Sequence, residues 1–234
     1  MGVRDAARRS GLIPRRFRSG DKASHELTYW RDRKREQGDL ERGNVHYEWV
    51  FTEHFGIPRE FYAGKRLLDV GCGPRGSLEW ASDAAERVGL DPLAREYQRL
   101  HSRAHSMSYV TGAAESIPFP SAHFDVVSTF NSLDHVDGLG RAVEELTRVT
   151  RPGGHLLLVT DVNHPPTPTE PQSFSWEVLD RFTSLGWRVI ARRDYEQPEG
   201  NMLHNLRDAP RYDHSRPGGR PGLLSARLER FARP

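Results

Sequence analysis

The feature that most constrains this chain is an apolar segment that runs directly into a glycine-rich loop. Residues 67–76 read Leu-Leu-Asp-Val-Gly-Cys-Gly-Pro-Arg-Gly, and their glycines have the G-x-G-x-x-G spacing of a dinucleotide-binding turn. Asp91 follows Gly71 by about 20 residues, the separation at which a carboxylate can bind ribose hydroxyls. This segment therefore predicts a strand, a tight turn and a helix that bind a nucleotide.

The residues around the glycines favour one cofactor class over another. Asp69 comes two residues before Gly71, where its carboxylate would repel a pyrophosphate, and Pro74 lies within the loop. A cationic ligand suits this loop better. The pattern resembles motif I of the class I methyltransferases, whose cofactor S-adenosylmethionine (SAM) carries an ammonium and a sulfonium but no phosphate. A nicotinamide-dependent (NAD(P)) reductase that uses the same glycines and Asp91 is the alternative with the same fold.

Two further segments make the resemblance more specific. Residues 112–120 read Gly-Ala-Ala-Glu-Ser-Ile-Pro-Phe-Pro and precede Phe-Asp-Val-Val at 124–127, which resembles a run found in small-molecule methyltransferases of the ubiquinone-biosynthesis type. Residues 131–136 read Asn-Ser-Leu-Asp-His-Val and match the L-x-H-V pattern of that family. They do not read Asn-Pro-Pro-Tyr, the element with which amino-methylating DNA enzymes hold a flipped base, so a DNA substrate is disfavoured.

The resemblance implies a set of cofactor-binding residues. It assigns the glycine loop and Asp69 to the methionine end of SAM, Asp91 to the ribose and the segment around Glu115 to the adenine. That family often places an aspartate beside the adenine amine, where this chain has alanine, so a SAM-binding protein without turnover is a second alternative. The expected cofactor-binding residues are Asp69, Gly71, Cys72, Gly73, Asp91, Pro92, Ala114, Glu115 and Asn131.

The acceptor side of the predicted site contains a histidine at the end of the fourth strand. Histidine has an unperturbed pKa of ~6.5 and can act as a base near neutral pH, so His135 can take a proton from an oxygen acceptor, although packing is the other interpretation. We therefore expect a small-molecule acceptor, such as a sugar or a secondary metabolite, with oxygen favoured over nitrogen. No metal ligands are assigned from the sequence. The expected acceptor-binding residues are Tyr29, Trp30 and His46 of the N-terminal helices, and His164 and Glu170 of the proline-rich segment 160–171.

Apolar strands alternate with amphipathic helices along the chain, which predicts an α/β fold with a doubly wound, mostly parallel, seven-stranded sheet and an N-terminal helical extension. The predicted strands cover residues 65–70, 87–90, 108–111, 124–130, 155–160 and 187–192, with an antiparallel seventh around 202–207. The predicted helices of this region cover residues 77–87, 92–105, 139–149 and 175–184.

The same pattern divides the chain into four segments. We expect a flexible basic arm at 1–20, a helical cap at 21–56, the SAM-binding core at 57–209 and a tail rich in proline, glycine and arginine at 210–234. In the tail, one short helix with an apolar face is expected from Leu223, Leu224, Leu228 and Phe231.

The composition of the chain excludes several function classes. The net charge is only +2 over 234 residues, so we expect no nucleic-acid partner, and no apolar run approaches the ~20 residues of a membrane span. The single cysteine, Cys72, excludes an internal disulfide and suits a reducing compartment. We therefore expect a cytoplasmic protein with no membrane contact, and a homodimer stays open.

Overall fold

The fold is built on one seven-stranded sheet. The computed structural model describes residues 19–40, 46–197, 202–216 and 218–231. The strands are β1 (Arg66–Val70), β2 (Glu86–Asp91), β3 (Ser108–Thr111), β4 (Phe124–Phe130), β5 (Thr150–Val162), β6 (Trp187–Glu196) and β7 (Gly222–Arg230). Their order is β3-β2-β1-β4-β5-β7-β6, and β7 runs antiparallel to both of its neighbours while the other pairs are parallel. This is the doubly wound, mostly parallel sheet that the sequence predicts.

The helices cover the sheet and extend it at the N-terminal side. The α-helices are α1 (Ser19–Gln37), α2 (His46–Trp49), α3 (Ala94–Gln98), α4 (Leu139–Val149), α5 (Asp180–Thr183) and α6 (Met202–Asn205). A π-helix at Val50–His54 continues α2, and 3-10 turns lie at Arg59–Tyr62, Leu133–His135 and Trp176–Leu179. The predicted N-terminal helical extension is thus present. Within the described ranges, no helix has the length and apolarity that crossing a bilayer requires.

The central strands are buried on both faces, so two apolar cores lie on opposite sides of the sheet. Leu68 and Leu90 face the core that includes α4, whereas Leu67 faces the core that includes the π-helix residue Phe51. Alternate side chains of one strand point to opposite faces, which explains this division. The parallel register aligns Val70 with Leu90, so the carboxyl ends of β1 and β2 meet at one edge of the sheet. In doubly wound folds, ligands bind at this edge.

The seventh strand is not where the sequence predicts it. Residues 202–207, expected to be a strand, begin with α6, and β7 lies instead in the segment expected to be a tail. The predicted apolar helix face is wrong for the same reason, because Leu223, Leu224 and Leu228 are fully buried between β5 and β6. A strand buried on both faces has no polar alternation, so its apolar positions resemble those of a short helix.

The segment after the glycine loop also differs from its prediction. Residues 77–85 form turns rather than a helix, and α3 covers only part of the first half of the helix expected at 92–105. The Arg87 guanidinium donates hydrogen bonds to two backbone carbonyls of this segment, those of Leu78 and Glu79. The Ser77 hydroxyl donates to the buried Asp69. These long-range contacts compete with the hydrogen bonds that a helix would form.

Candidate active site

The glycine loop folds tightly against the ends of two strands. Gly71 and Gly73 have φ angles of 73° and 58°, which residues with a side chain rarely adopt. A Cβ atom on Gly71 would lie 2.2 Å from the Cβ of Ser132, whose hydroxyl donates to the Val70 carbonyl at 2.8 Å. The loop therefore requires glycine at position 71 for both its conformation and its contact with the end of β4.

The loop amides are used within the protein. The Gly71 amide donates to the Leu90 carbonyl at 2.8 Å, and the Cys72 amide points to the same oxygen at 3.4 Å. The Gly73 amide donates to Asp91 Oδ2 at 3.3 Å. A pyrophosphate needs several uncommitted N–H donors, whereas a cationic cofactor does not. These contacts therefore favour a cationic cofactor over a dinucleotide.

Asp69 lies beneath the loop, and both of its carboxylate oxygens are occupied. It accepts hydrogen bonds from the hydroxyls of Ser128, at 2.6 Å, and Ser77. Burial raises the pKa of Asp69 to about 6, although the two serine hydroxyls lower it. The carboxylate therefore holds the loop to β4, and its predicted contact with a cofactor stays a prediction. Ser77 and Ser128 are the partners that sequence reasoning missed.

Asp91 ends β2 at the same edge and lies beside the loop. Its two oxygens accept the amides of Leu93, at 2.8 Å, and Gly73. Burial raises its pKa to about 6, while these amides and the nearby His135 imidazole lower it. Asp91 thus contacts the glycine loop and lies within electrostatic range of His135. The neighbouring Pro92 is exposed.

Ala114 and Glu115, which are expected near the adenine, both make contacts within the protein. Ala114 is buried in the core that includes α4. Glu115 Oε1 accepts the amides of Asp137 and Gly138, at 2.8 and 3.0 Å, just before α4. An adenine contact by either residue stays a prediction. Cys72 packs against Gly89, and burial raises the pKa of its thiol, which makes it a filler rather than a nucleophile.

Asn131 presents an unusual polar atom at the end of β4. Its φ angle is 52°, in the left-handed region, and its backbone N–H donates to the Val159 carbonyl at 2.7 Å. Its side-chain oxygen Oδ1 is buried and has no hydrogen-bond partner. Buried acceptors are rarely left in this state, so the atom is suited to receive a donor from a ligand.

Helix α1 lies across the glycine loop. The Trp30 ring comes within 3.5 Å of the position that a Cβ atom on Gly73 would take, and the Arg75 guanidinium lies 5.4 Å from the centre of that ring. Lys22 and Lys34 of this helix donate to the backbone carbonyls of His135 and Leu100, respectively. Trp30 therefore contacts the glycine loop, and its role in binding the acceptor stays a prediction.

The other aromatic predictions of the N-terminal region are less well placed. The Tyr29 hydroxyl accepts a hydrogen bond from Arg33 Nε of the same helix at 3.2 Å, and its ring packs edge-on against Trp30. His46 begins α2, but its side chain lies outside the described residues. Neither observation assigns an acceptor contact, so both roles stay predictions.

The acceptor side contains a cluster of histidines and carboxylates. His135 Nε2 lies 3.9 Å from Asp134 Oδ1 and 3.9 Å from Glu170 Oε1, and His164 Nε2 lies 4.0 Å from Asp134 Oδ2. The fold thus brings together His135, His164 and Glu170, which the sequence assigns to two separate segments. Sequence reasoning gave Asp134 no role, yet it is fully buried at the centre of the cluster.

Part of the chain is similar in sequence to known methyltransferases. Residues 68–158 match a family model described as a methyltransferase domain. The chain is 38% identical over 96 residues to malonyl-[acyl-carrier protein] O-methyltransferase of Enterobacter lignolyticus. The aligned region covers 41% of this chain and 38% of the relative. It is 32% identical over 127 residues to the chloroplastic tocopherol O-methyltransferase of Arabidopsis thaliana, over 50% of this chain and 36% of the relative.

A solved structure extends the likeness beyond the matched span. An S-adenosylmethionine-dependent methyltransferase from Mesorhizobium loti has a TM-score of 0.56 and 17% identity, over 79% of this chain and 98% of that one. The chain spans less than two fifths of the length of the two curated relatives. The matched span holds the glycine loop, Asp91 and Asn131. Residues 68–158 are therefore similar to a methyltransferase domain, and SAM, rather than a nicotinamide, is the cofactor that this similarity supports.

Proposed function

We propose that this chain transfers the methyl group of SAM to an oxygen atom of a small-molecule acceptor. One observation carries the proposal: His135 lies at the carboxyl edge of the sheet, within electrostatic reach of the buried Asp91 that ends β2. A proton acceptor is thereby within electrostatic range of the predicted ribose-binding carboxylate. The two curated relatives are O-methyltransferases by name, which supports oxygen as the acceptor atom.

The residues at this edge fit SAM. The buried Oδ1 of Asn131 needs a donor, and the ammonium of the methionine end is one. Asp91 can accept from the ribose hydroxyls through lone pairs that the two amides leave unused. When bound, SAM supplies a methyl group that its positive sulfur already activates.

The protein then has two tasks at the acceptor. It must hold the acceptor oxygen in line with the methyl group, and it must remove a proton if that oxygen belongs to a hydroxyl. His135 Nε2 can take that proton. His164 and Glu170 flank it and can orient the acceptor by hydrogen bonds, which is the role predicted for them. A sugar or a secondary metabolite with several hydroxyls would use all of these side chains.

The test is methyl transfer from isotopically labelled SAM. We would incubate the purified chain with labelled SAM and a metabolite extract, detect labelled products by mass spectrometry, and repeat the assay with pure hydroxylated acceptors. The proposal expects labelled O-methyl products together with S-adenosylhomocysteine. Calorimetry would first establish that the chain binds S-adenosylhomocysteine. Cofactor binding without any product over the whole panel would favour the alternative of a SAM-binding protein without turnover.

The setting of this reaction is also proposed. We propose a cytoplasmic enzyme whose partner is its acceptor, in agreement with the balanced charge of the chain. A homodimer stays a prediction, which sedimentation of the purified chain would test.

A further inference from the structure

A carboxylate without hydrogen bonds lies at the centre of the acceptor-side cluster. Asp134 is fully buried, and neither of its oxygens has a hydrogen-bond partner. We propose that Asp134, His135 and Glu170 bind a divalent transition-metal ion, with His164 as a fourth ligand. The part of this inference that puts the ion beside the methyl acceptor rests on the proposed function, whereas metal binding itself does not.

The positions of the ligand atoms suit one ion. One ligand atom from each of Asp134, His135 and Glu170 lies within 4.8 Å of the other two. Bonds from such atoms to a transition metal are about 2.0–2.2 Å long, so ligand atoms that share an ion are about 3–4 Å apart. The observed separations of 3.9 Å lie at the upper end of this range. These contacts are too long to be hydrogen bonds.

The charge on Asp134 needs a positive partner. A buried carboxylate is costly unless it is paired, hydrogen-bonded or bound to a metal. In the described part of the chain, the ion pairs of Asp134 involve only two histidines, His135 and His164, at 3.9 and 4.0 Å. Neither distance allows a hydrogen bond. A divalent cation within the cluster would supply the missing positive charge.

The orientation of His164 supports a metal ligand. Its Nδ1 lies 3.0 Å from the Pro165 carbonyl oxygen, which accepts but cannot donate, so Nδ1 carries a hydrogen. The other ring nitrogen, Nε2, is buried and has no hydrogen-bond partner, and it faces the Asp134 carboxylate. In the neutral imidazole two lone-pair groups then face each other. Histidine ligands commonly donate their second nitrogen to a backbone carbonyl in this way.

Backbone contacts hold the two loops of the cluster together. Gln172 follows the proline-rich segment, and its amide donates to the Asp134 carbonyl at 3.1 Å. Its side-chain Nε2 donates to the Val136 carbonyl at 3.1 Å. The segment that contains His164 and Glu170 is thereby fixed against the 3-10 turn that contains Asp134 and His135. The ligand set is thus positioned before any metal binds.

The donor set indicates which metal and which acceptor would bind. Imidazole with carboxylate suits Mn²⁺, Fe²⁺ or Zn²⁺, whereas Mg²⁺ and Ca²⁺ prefer oxygen ligands alone. An ion here would bind an acceptor hydroxyl and lower its pKa, with His135 acting as a ligand in place of a base. The acceptor would then be a molecule that presents two adjacent oxygens, which can bind the ion together.

The test is metal binding by the full chain without SAM. After treatment with a chelator, the chain is dialysed to equilibrium against Mn²⁺ or Zn²⁺, and the bound metal is measured by plasma mass spectrometry. We expect one ion per chain, and at least tenfold weaker binding in Asp134→Asn and in Glu170→Gln. Glu144→Gln, which alters an exposed carboxylate of α4, should bind as the unmodified chain does.

The outcomes separate this inference from the proposed function. Absence of bound metal, or binding unchanged in both variants, would overturn the metal site and leave a polar cluster that binds the acceptor directly. Circular dichroism would establish that the variants fold. If Asp134→Asn does not fold, Glu170→Gln still tests the site, because Glu170 is only half-buried. Binding of S-adenosylhomocysteine is measured separately, so a chain that binds metal but no cofactor contradicts the proposed function alone.

Discussion

At the scale of single residues, the clearest contrast is between two glycines. Gly71 has a left-handed conformation and no space for a Cβ atom, whereas Gly140 in α4 has no atom within 4 Å of that position. We expect Gly71→Ala to lower the free energy of unfolding by about 2–4 kcal/mol, through backbone strain and overpacking. Gly140→Ala should raise it by about 0.5–1 kcal/mol, because alanine favours helices. Urea titration measures both, and equal effects would contradict the packing of the loop against Ser132.

The buried Asp69 predicts a pH dependence of stability. Its pKa is about 6 in the folded chain and about 3.9 in an unfolded one, so it favours the folded state below pH 4. That contribution is lost as the pH rises through 6. Relative to Asp69→Asn, the chain should therefore lose up to about 3 kcal/mol of unfolding free energy between pH 4 and 7.

Denaturant titrations of the two proteins at several pH values measure this difference. Asp91 titrates over the same range but is present in both proteins, so it cancels. Asp83→Asn, which changes an exposed carboxylate, is the matched control and should follow the unmodified chain. A difference that does not vary with pH would show that Asp69 is charged in the folded state at all of these pH values.

His135 is the residue whose replacement should affect turnover most selectively. We expect His135→Gln to lower kcat by about 10²–10⁴, because removal of a base or of a ligand to the acceptor acts on the chemical step. The affinity for S-adenosylhomocysteine should stay within about twofold, since no cofactor contact is assigned to this imidazole. His214→Gln, an exposed histidine outside the cluster, is the control. An unaltered rate in His135→Gln would make His135 a packing residue.

Local motifs predicted part of the site, and long-range packing decided the rest. Gly71, Asp91 and Asn131 come at the ends of strands, where the order of the sheet places them together. The hydrogen bonds of Asp69 were missed because its partners, Ser77 and Ser128, come from two other segments. Asp134 was missed because its burial depends on a loop about 30 residues further along the chain, a contact that spacing alone does not indicate.

At the scale of elements, helix α1 has the most specific consequence. It lies over the glycine loop through Trp30, and Arg75 of the loop donates to the Leu40 carbonyl beyond its C-terminal end. We expect Trp30→Ala to weaken binding of S-adenosylhomocysteine by about tenfold, because the loop loses its aromatic cover. Amide hydrogen exchange in α1 should become faster as well. Thr28→Ala, at an exposed position of the same helix, should change neither the binding nor the exchange rate. Unaffected binding in Trp30→Ala would show that α1 does not cover the cofactor site.

The elements that the sequence predicted well share a common property. β1, β4 and α4 have strong apolar periodicity and are bounded by glycine or proline, so their patterns agree with their packing. The turns at 77–85 and the strand β7 were predicted incorrectly, because their conformations depend on Arg87 and on two neighbouring strands. The pattern of an isolated segment contains no information about such partners.

At the scale of the whole molecule, stability should depend on the C-terminal strand. Leu224 of β7 is fully buried between β5 and β6, whereas Ile190 of β6 is 41% exposed. We expect Leu224→Ala to lower the free energy of unfolding by about 2–5 kcal/mol, the cost of a cavity in a packed core. Ile190→Ala should cost less than about 1 kcal/mol. Comparable losses in the two variants would contradict the insertion of β7 into the sheet.

The position of β7 also has a consequence for synthesis of the protein. Because β7 pairs on both sides inside the sheet, β5 and β6 lack their shared neighbour until residues 222–230 have been synthesised. Until then, the nascent chain exposes two unpaired strand edges, which are sites for aggregation. The domain therefore completes its fold only after its last strand has left the ribosome, and chaperones that shield open β-edges would matter most in that interval.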